Sequence, residues 1–523
     1  MRSSPRWSTS RWLAPLAAGA IAAVGSATTV FASTFAAGAV VRVPDSPLAA
    51  SSAACQQLVA QQTALGSRNN LGAEVEPFIT ADPTNPMHLV GSFQQDRWND
   101  GGSNGDINVV SFNGGATWQL ATKQPAFSIC EGATSGSPGF LNRATDPWVS
   151  FSSDGKIVYS ISDSFNANGP GFGGTSAILI SRSTDGGVTW QTPVAAQVDT
   201  SVTVLNDKES VKADPAKPNN AYAVWDRLVS PSVNANPTAF LVTPAFRGPA
   251  MFSRTTDGGV TWSPGRVIFD PGEKDQTIGN QVVIPTAGPA KGQLINGFDL
   301  ITTKGGKGQH GSETDAVAII RSTDGGDTWS GPTVVASQVV AHVFIAGRLV
   351  RSSDELPEFA AGPEGNLYAV WQDARFSPTG TSKIAFSMST DGGATWSAPI
   401  RIDQSVGDTP AFVPQVAVAS DGTVGLLYYD LEHSTAAQPG LADAFLAHCH
   451  SSCANPASWA VNGETRLSTS GSFDYTTAPV ARGFFLGDYD GLVATGTTFH
   501  AFFDMSQPIA TAGKSDQFSN TAH

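Results

Sequence analysis

Short segments with the apolar-polar alternation of a β-strand recur along the whole chain. Residues 107–111, 177–181 and 384–388 are examples, and each runs into a turn that contains a Gly-Gly pair. Alternation over four to eight residues followed by turn formers is typical of strands rather than helices. The chain is rich in such formers, with 54 Gly and 33 Pro among 523 residues. The pattern therefore predicts an all-β protein made of many short strands.

The same eight-residue turn occurs five times, which predicts a repeat architecture. It reads Ser/Thr-x-Asp-Gly-Gly-x-Thr-Trp, with Asn for Asp in the first copy, and a degenerate sixth copy ends at Trp459. Asp accepts backbone N–H bonds and the glycines supply positive φ, so we expect hairpin turns between the third and fourth strands of four-stranded units. The Asp or Asn of the five turns is Asn113, Asp185, Asp257, Asp324 and Asp391.

A second repeat sets the number of units. Seven strands end in Asp, at intervals of about 68 residues, and the last of them has no turn motif after it. We therefore predict a seven-bladed β-propeller over residues 33–523, closed by an N-terminal strand near 40–43. Six blades with a C-terminal appendage is the alternative. The seven strand-end residues are Asp96, Asp163, Asp226, Asp299, Asp373, Asp430 and Asp504.

The turn motif resembles the BNR, or Asp-box, repeat of the sialidase (neuraminidase) superfamily, over roughly residues 74–504. The resemblance implies a β-propeller and a secreted glycoside hydrolase that acts on or recognises terminal acidic sugars. It also implies arginines for the substrate carboxylate, a Tyr nucleophile assisted by Glu, and an Asp acid/base. The superfamily's Arg-containing N-terminal motif has only a weak echo around Arg42. Because Asp boxes also occur in receptors, the alternative is a non-catalytic propeller that binds glycan or protein.

Function is expected on the face opposite the boxes. Successive antiparallel strands reverse direction, so the boxes and the strand-end Asp residues lie on opposite faces. The innermost strands enter on that second face at Glu76, Asp146, Glu209, Gln281, Glu358, Gln415 and Asp488. The candidate catalytic residues are Asp96, Asp146 and Tyr489, and the candidate substrate-binding residues are Arg97, Arg143, Arg227, Arg375, Trp98 and Glu76. Carboxylic acids, guanidinium groups and Tyr suit an acidic sugar, although an Asp at a strand end also caps loops.

Composition and motifs exclude several other functions. The formal net charge of −14 opposes binding to nucleic acid, and no basic run offsets it. The chain contains no phosphate-binding Gly loop and no His-Glu-x-x-His motif. Calcium would suit the acids near Asp96 and Asp100, but no EF-hand spacing supports it, so we expect no cofactor. The expected partner is a glycan or glycoconjugate, and the oligomeric state stays open.

The N-terminus and the cysteines predict export. Three arginines precede the uncharged run 12–41, and small residues before Ser33 suit a signal peptide over residues 1–32, with an uncleaved membrane anchor as the alternative. Four cysteines in an exported chain predict disulfides, Cys55 with Cys130 and Cys449 with Cys453. A zinc site of Cys449, Cys453 and the neighbouring His448 and His450 is the alternative.

Overall fold

The computed structural model describes residues 35–167, 172–235, 246–304, 312–352, 354–508 and 513–523. The predicted signal peptide, residues 1–32, lies outside them. In the described part of the chain, no helix has the length and apolar character needed to cross a membrane.

Antiparallel four-stranded meanders follow one another along the chain, and we number them from 1 to 7. Meander 1 consists of Glu74–Asp82, Asn85–Arg97, Ser103–Ser111 and Gln119–Leu120, and meander 2 of Arg143–Phe151, Val158–Phe165, Ser176–Ser183 and Val194–Asp199. Meander 3 consists of Val204–Ala213, Ala221–Val229, Ala250–Thr255 and Arg266–Phe269, and meander 4 of Gln276–Val283, Leu294–Lys304, Ser312–Ser322 and Thr333–Gln338. Meander 5 consists of Glu358–Ala361, Leu367–Asp373, Lys383–Ser389 and Ile400–Arg401, and meander 6 of Ala411–Val418, Val424–Asp430, Leu441–Cys449 and Glu464–Arg466. Meander 7 consists of Gly491–Thr495, Thr498–Ser506, Ser515–Ala522 and Val41–Arg42.

A few elements of the described residues lie outside the meanders. The helices are Ala53–Ala64 and Ala457–Ala460, with 3-10 turns at Ala374–Phe376 and Tyr475–Thr477. A hairpin of Val343–Ile345 and Arg348–Val350 is inserted between meanders 4 and 5, and Phe473–Asp474 pairs with the third strand of meander 6.

The first strands of the meanders surround a common axis. Each contacts the first strand of the next meander, and the first strand of meander 7 contacts that of meander 1, so the ring closes. Meander 7 takes its outer strand from the N-terminus, where Val41 pairs with Ser519 and Arg42 with Phe518. The predicted all-β propeller class is therefore confirmed, and the number of blades stays a prediction.

The boxes form tight turns that also join neighbouring meanders. In the second copy, the Asp185 carboxylate accepts bonds from the Thr189 backbone N–H at 2.9 Å and from its hydroxyl at 2.6 Å. Arg182, just before that box, donates to the Gly258 carbonyl of the next box at 2.8 Å. Arg254 donates in the same way to the Gly325 carbonyl. The box thus fixes both its own hairpin and the contact between adjacent sheets.

Both predicted disulfides are present. Cys55 pairs with Cys130, which ties the helix Ala53–Ala64 to the loop after the first box. Cys449 pairs with Cys453 at the degenerate sixth box. Because both sulfurs of the second pair are bonded to each other, the alternative of a zinc site on these cysteines is not supported.

The tight packing of the box glycines gives a stability prediction. Gly326 has φ of +96°, and a Cβ there would overlap the Phe252 ring of the preceding meander. We expect Gly326→Ala to lower the free energy of unfolding by about 2–4 kcal/mol, from backbone strain and overpacking together. The matched control is Gly331→Ala, since a Cβ at Gly331 meets nothing within 4 Å. It should change stability by less than about 1 kcal/mol in the same urea unfolding experiment, and an equal loss in both variants would contradict this account.

Candidate functional site

A bulge near the start of the first strands places charged side chains at one end of the axis. The pairing with the second strand shifts register at this point in meanders 1, 2 and 3. The bulged residues are Glu76, Asp146 and Lys208, with φ of +55°, +56° and +49°. Positive φ is uncommon for residues other than Gly, and bulges are known to redirect side chains next to functional sites. We call this end of the axis the mouth; it lies on the face opposite the boxes.

Lys208 is the centre of the mouth. Its Nζ donates to Glu76 Oε1 at 3.0 Å, to Asp146 Oδ1 at 2.8 Å and to Asp488 Oδ2 at 2.6 Å. The three acids come from meanders 1 and 2 and from the segment before meander 7, and all are buried. Their carboxylate oxygens lie within 4.8 Å of one another, which would suit a metal ion, but the ammonium of Lys208 already occupies the point that they share.

The three buried carboxyl groups at the mouth differ in the direction of their pKa shifts. Burial acts to raise the pKa of Asp146, but Lys208 and a hydrogen bond from Glu76 outweigh it, so the pKa lies below its usual value. The same holds for Asp488, where Arg351 and Lys208 oppose burial. Burial, followed by the charge of Asp146, raises the pKa of Glu76 well above its usual value. Of the three acids, Glu76 therefore favours the protonated form most, and Asp146 and Asp488 favour the ionised form.

Beside Lys208 lies a cavity of about 270 Å³ whose charged lining is rich in arginine. Its charged lining residues are Arg97, Arg143, Arg351 and Arg482 together with Asp100, Asp146, Asp163 and Asp207. The guanidinium carbons of Arg97 and Arg351 lie 4.8 and 4.4 Å from the centre of the Phe485 ring. One aromatic ring thus holds two cations at the same wall of the cavity.

The arginines of this wall are only partly compensated. Arg351 Nη2 donates to Asp488, but its Nη1 is buried and has no hydrogen-bond partner among the described residues. Arg482 is exposed and makes no hydrogen bond or ion pair with any residue in the described ranges. It has φ of +65° in a tight turn that presents it to the cavity. The neighbouring charge of Arg351 is the main cause that lowers the pKa of Arg482 to about 10, and an anion in the cavity would relieve this repulsion.

Two further acids in the cavity favour the protonated form. Burial, then the nearby Asp146 charge, raises the pKa of Asp207 to about 7, although Lys208 acts against the shift. Burial also raises the pKa of Asp163 well above its usual value. Neighbouring carboxyl groups whose pKa values are pushed apart, here Asp207 and Asp146, are the arrangement found in acid/base catalysis.

Asp96, a predicted catalytic residue, caps backbone N–H groups in the structure. One carboxylate oxygen accepts the backbone N–H groups of Leu48 at 2.8 Å and Ala49 at 2.9 Å, and the other accepts that of Gly72 at 2.7 Å. Asp96 is buried and does not line the cavity. It anchors the N-terminal segment on meander 1. Capping of backbone N–H groups explains why an Asp recurs at this strand end in successive repeats. Asp226 and Asp373 also accept backbone N–H groups.

Arg143 and Trp98 are used in a similar way. The Arg143 guanidinium, which is 1% exposed, donates to Asp100 Oδ1 at 2.6 Å and to Gln62 Oε1 at 2.9 Å, and it lies 4.7 Å over the Trp98 ring. Since these donors are directed at the N-terminal helix and its flanking loop, Arg143 is a wall residue with little capacity left for a ligand. Trp98 donates from Nε1 to Asn104 at 2.9 Å and is buried beneath it.

Two other predicted arginines, Arg227 and Arg375, lie away from the cavity, as does Arg42 of the weak N-terminal motif. Arg227 pairs with Asp199 at 2.6 Å, and Arg375 bonds Asp373 and the Ser337 carbonyl. Arg42 bonds Asp516 beside the closing strand. Each is held by an acid of its own or an adjacent strand, which explains why the structure does not bring them to the mouth.

Tyr489 lies behind the charged cluster rather than in the cavity. It is buried against Trp148 and Phe78, and its hydroxyl donates to the Pro147 carbonyl at 3.3 Å. Burial, followed by the charges of Glu76 and Asp146, raises the pKa of its phenol well above the usual value. The phenol therefore stays neutral, which does not suit a nucleophile.

The sequence reasoning did not single out Lys208, Asp207, Arg351 or Arg482. Lys208 stands one residue before Glu209, which was expected at a strand entrance, so the shift of the bulge hid it. Arg351 follows the inserted hairpin, and Arg482 lies in the segment between meanders 6 and 7. No repeat covers these two segments, so the sequence offered no signal for either arginine.

Comparisons with known proteins give distant likenesses. No protein-family model and no curated protein matches the sequence. Among solved structures, an α-L-arabinofuranosidase from Fusarium graminearum is 12% identical with a TM-score of 0.44, covering 75% of this chain and 92% of that one. A leech intramolecular trans-sialidase is 10% identical with a TM-score of 0.43, covering 87% and 92%. The Hadza microbial sialidase Hz136 is 18% identical with a TM-score of 0.41, covering 69% and 64%. At these values the likeness gives no information on the site.

The shared ammonium gives a prediction on stability and pH. Lys208→Met leaves Asp146 and Asp488 buried with less compensation, so we expect a loss of about 3–5 kcal/mol in the free energy of unfolding near pH 7. Without the ammonium the pKa values of these carboxyls rise above their unfolded values, so the variant regains stability as the pH falls from about 7 to about 5. Urea unfolding at the two pH values measures both effects.

The matched control removes a lysine that pairs with one acid at the surface. Lys156 bonds Asp154 at 2.8 Å and its side chain is 78% exposed. Lys156→Met should change stability by less than about 1 kcal/mol at either pH, since exposed pairs contribute little. A Lys208→Met protein as stable as this control would show that the mouth does not depend on the shared ammonium.

Proposed function

We propose that this protein is a secreted, sialidase-like glycoside hydrolase that holds a terminal acidic sugar in the arginine-rich cavity at the mouth. The observation that carries the proposal is the wall formed by Arg97, Arg351 and Arg482, in which Arg482 and one nitrogen of Arg351 have no partner among the described residues. Guanidinium groups bind carboxylates in well-defined geometry. The volume of about 270 Å³ is near the lower end for ligand pockets, which suits one sugar residue.

The acids of the cavity support cleavage by proton transfer. Asp207, with its pKa raised to about 7, is suited to donate a proton to the leaving glycosidic oxygen. The ionised Asp146 beside it would stabilise the positive charge that develops on the sugar ring as the glycosidic bond breaks. A water molecule would then add to the anomeric carbon and return its proton to Asp207. Because Tyr489 lies outside the cavity, we assign it no catalytic role and favour carboxyl groups over a tyrosine nucleophile.

The second candidate is a non-catalytic propeller that binds an acidic glycan at the same cavity. The absence of Tyr489 from the cavity lining favours it, since the tyrosine expected from the Asp-box resemblance is then missing. Both candidates need the arginine wall, so they differ only in turnover. Export is part of the proposal and is supported by the two disulfides.

Binding is tested by removing one unpaired guanidinium. We expect Arg482→Ala to weaken the binding of a free uronic acid or sialic acid about 10- to 100-fold, as expected for a charge-assisted hydrogen bond, and to leave a neutral sugar unaffected. Isothermal titration calorimetry measures both. Arg227→Ala is the control, because Arg227 is held by Asp199 outside the cavity. Equal affinity in wild type and Arg482→Ala would exclude the wall as the carboxylate site.

Catalysis is tested with fluorogenic α-sialosides, β-glucuronides and neutral arabinosides. We expect turnover of an acidic substrate to decline as the pH rises above about 7, since Asp207 must be protonated. Asp207→Asn should lower kcat by about 10²–10⁴-fold while binding persists. If acidic sugars bind but no substrate of the panel is cleaved, the non-catalytic candidate is the correct one.

A further inference from the structure

A groove between meanders 5 and 6 opens on the face of the boxes. Its volume is about 660 Å³, within the range of ligand pockets, roughly 300–1,000 Å³. Tyr368, Met388 and Trp396 line it from meander 5, and residues 450–454 line it from the degenerate sixth box. We call it the lateral groove; it shares no lining residue with the arginine-rich cavity.

At the junctions from meander 2 to meander 5, an arginine joins each meander to the next box. The arginine stands directly before one box, and its guanidinium donates to a glycine carbonyl of the box that follows. In meander 2, Tyr159 is the cross-strand partner of this arginine, and a Cβ on Gly259 of the next box would lie only 2.8 Å from the Tyr159 ring. The ring, the arginine and the box thus fill the space between the two sheets. The bonded pairs are Arg182 with Gly258, Arg254 with Gly325 and Arg321 with Gly392.

The junction of meanders 5 and 6 lacks both parts of this arrangement. Met388 stands directly before the fifth box, in the position of the arginine, and Tyr368 is its cross-strand partner. A thioether cannot donate a hydrogen bond. The sixth box contains no glycine, and it carries the Cys449–Cys453 disulfide instead. The lateral groove is therefore the space that the arginine and the box occupy at the other junctions.

The lining of the groove combines aromatic and thioether surface with hydrogen-bonding groups and two acids. Trp396 and Met388 are partly exposed beside the buried Tyr368. Glu364 and Asp421 are exposed carboxylates, and no Lys or Arg among the described residues lines the groove. The neutral hydrogen-bonding side chains of the lining are Asn366, Thr390, Thr395, Ser397, Ser451 and Ser452, and His450 bonds the Thr423 hydroxyl at 2.9 Å.

We propose that the lateral groove binds a neutral oligosaccharide. The C–H groups of a sugar ring pack on Trp396 and Met388, and sugar hydroxyls donate to the carboxylates of Glu364 and Asp421. The surrounding amide and hydroxyl groups bond the remaining sugar hydroxyls. Two carboxylates in a lining without Lys or Arg disfavour an acidic sugar, because like charges repel. The groove thus selects against the charge that the arginine-rich cavity favours, and this inference does not depend on the proposed cleavage.

Methyl NMR of the purified mature chain tests the groove directly, because Met388 is one of only five methionines in the sequence. The probes are cellotriose, maltotriose and chitotriose, with trigalacturonic acid as the acidic counterpart and choline as an organic cation. We expect a neutral trisaccharide to shift the Met388 methyl signal and to leave that of the buried Met251 in place. Trigalacturonic acid and choline should leave both signals unchanged. Met388→Leu assigns the Met388 signal by its loss.

A variant that closes the groove provides the second test. Met388→Arg restores the residue of the other junctions, and we expect it to weaken binding of the neutral trisaccharide by about tenfold or more in isothermal titration calorimetry. Val334→Arg is the matched control, because it adds the same charge at an exposed strand position outside the groove. It should bind the trisaccharide as wild type does. Since the NMR titration uses wild type, its result stands even where a variant fails to fold.

Three outcomes would overturn the proposal. The first is that no neutral trisaccharide shifts the Met388 signal at concentrations near its solubility limit. The second is that trigalacturonic acid shifts the signal as much as the neutral sugars do, and the third is that Met388→Arg binds them as wild type does. A shift caused by choline alone would also contradict the proposal and would assign the groove to an organic cation.

Discussion

The ammonium of Lys208 lies among carboxyl groups from three separate parts of the ring. Glu76 and Asp146 belong to meanders 1 and 2, and Asp488 precedes meander 7. Three acids buried this close together would repel one another if all were ionised. The shared ammonium of Lys208 and the raised pKa of Glu76, which burial causes, reduce this repulsion. They hold together residues of meanders 1, 2 and 3 and of the segment before meander 7.

The cavity takes its character from the same balance of charge. Asp488 is shared between Lys208 and Arg351, so it neutralises neither fully. The remaining positive charge extends through Arg351 to Arg482, which is held in a left-handed turn. Strain of this kind persists where the surrounding structure determines it, and it is often found at binding sites. The structural cluster and the proposed carboxylate site are therefore parts of one electrostatic network.

The bulge of meander 3 gives two lysines of one strand different surroundings. It turns Lys208 towards the buried acids at the mouth, where one ammonium is shared by three carboxyl groups. Lys212 lies four residues further along the same strand and is exposed. The register shift thus decides which lysine of the strand enters the charged cluster.

The propeller class and the box turns follow from the sequence alone, because each depends on local chemistry repeated at regular spacing. The disulfide pairings were predicted on another ground, the even number of cysteines in a chain expected to be exported. The sequence also indicated Glu76, Asp146 and Arg97 as residues of the mouth, since these stand at predictable strand ends. Only the tertiary structure decided which groups meet there. Asp96, Arg143 and Tyr489 have the right chemistry for a site, but backbone amides, the N-terminal helix and a carbonyl oxygen engage them. Lys208, Asp207, Arg351 and Arg482 come together through bulges, an inserted hairpin and a connecting turn, whose side-chain directions no repeat pattern encodes.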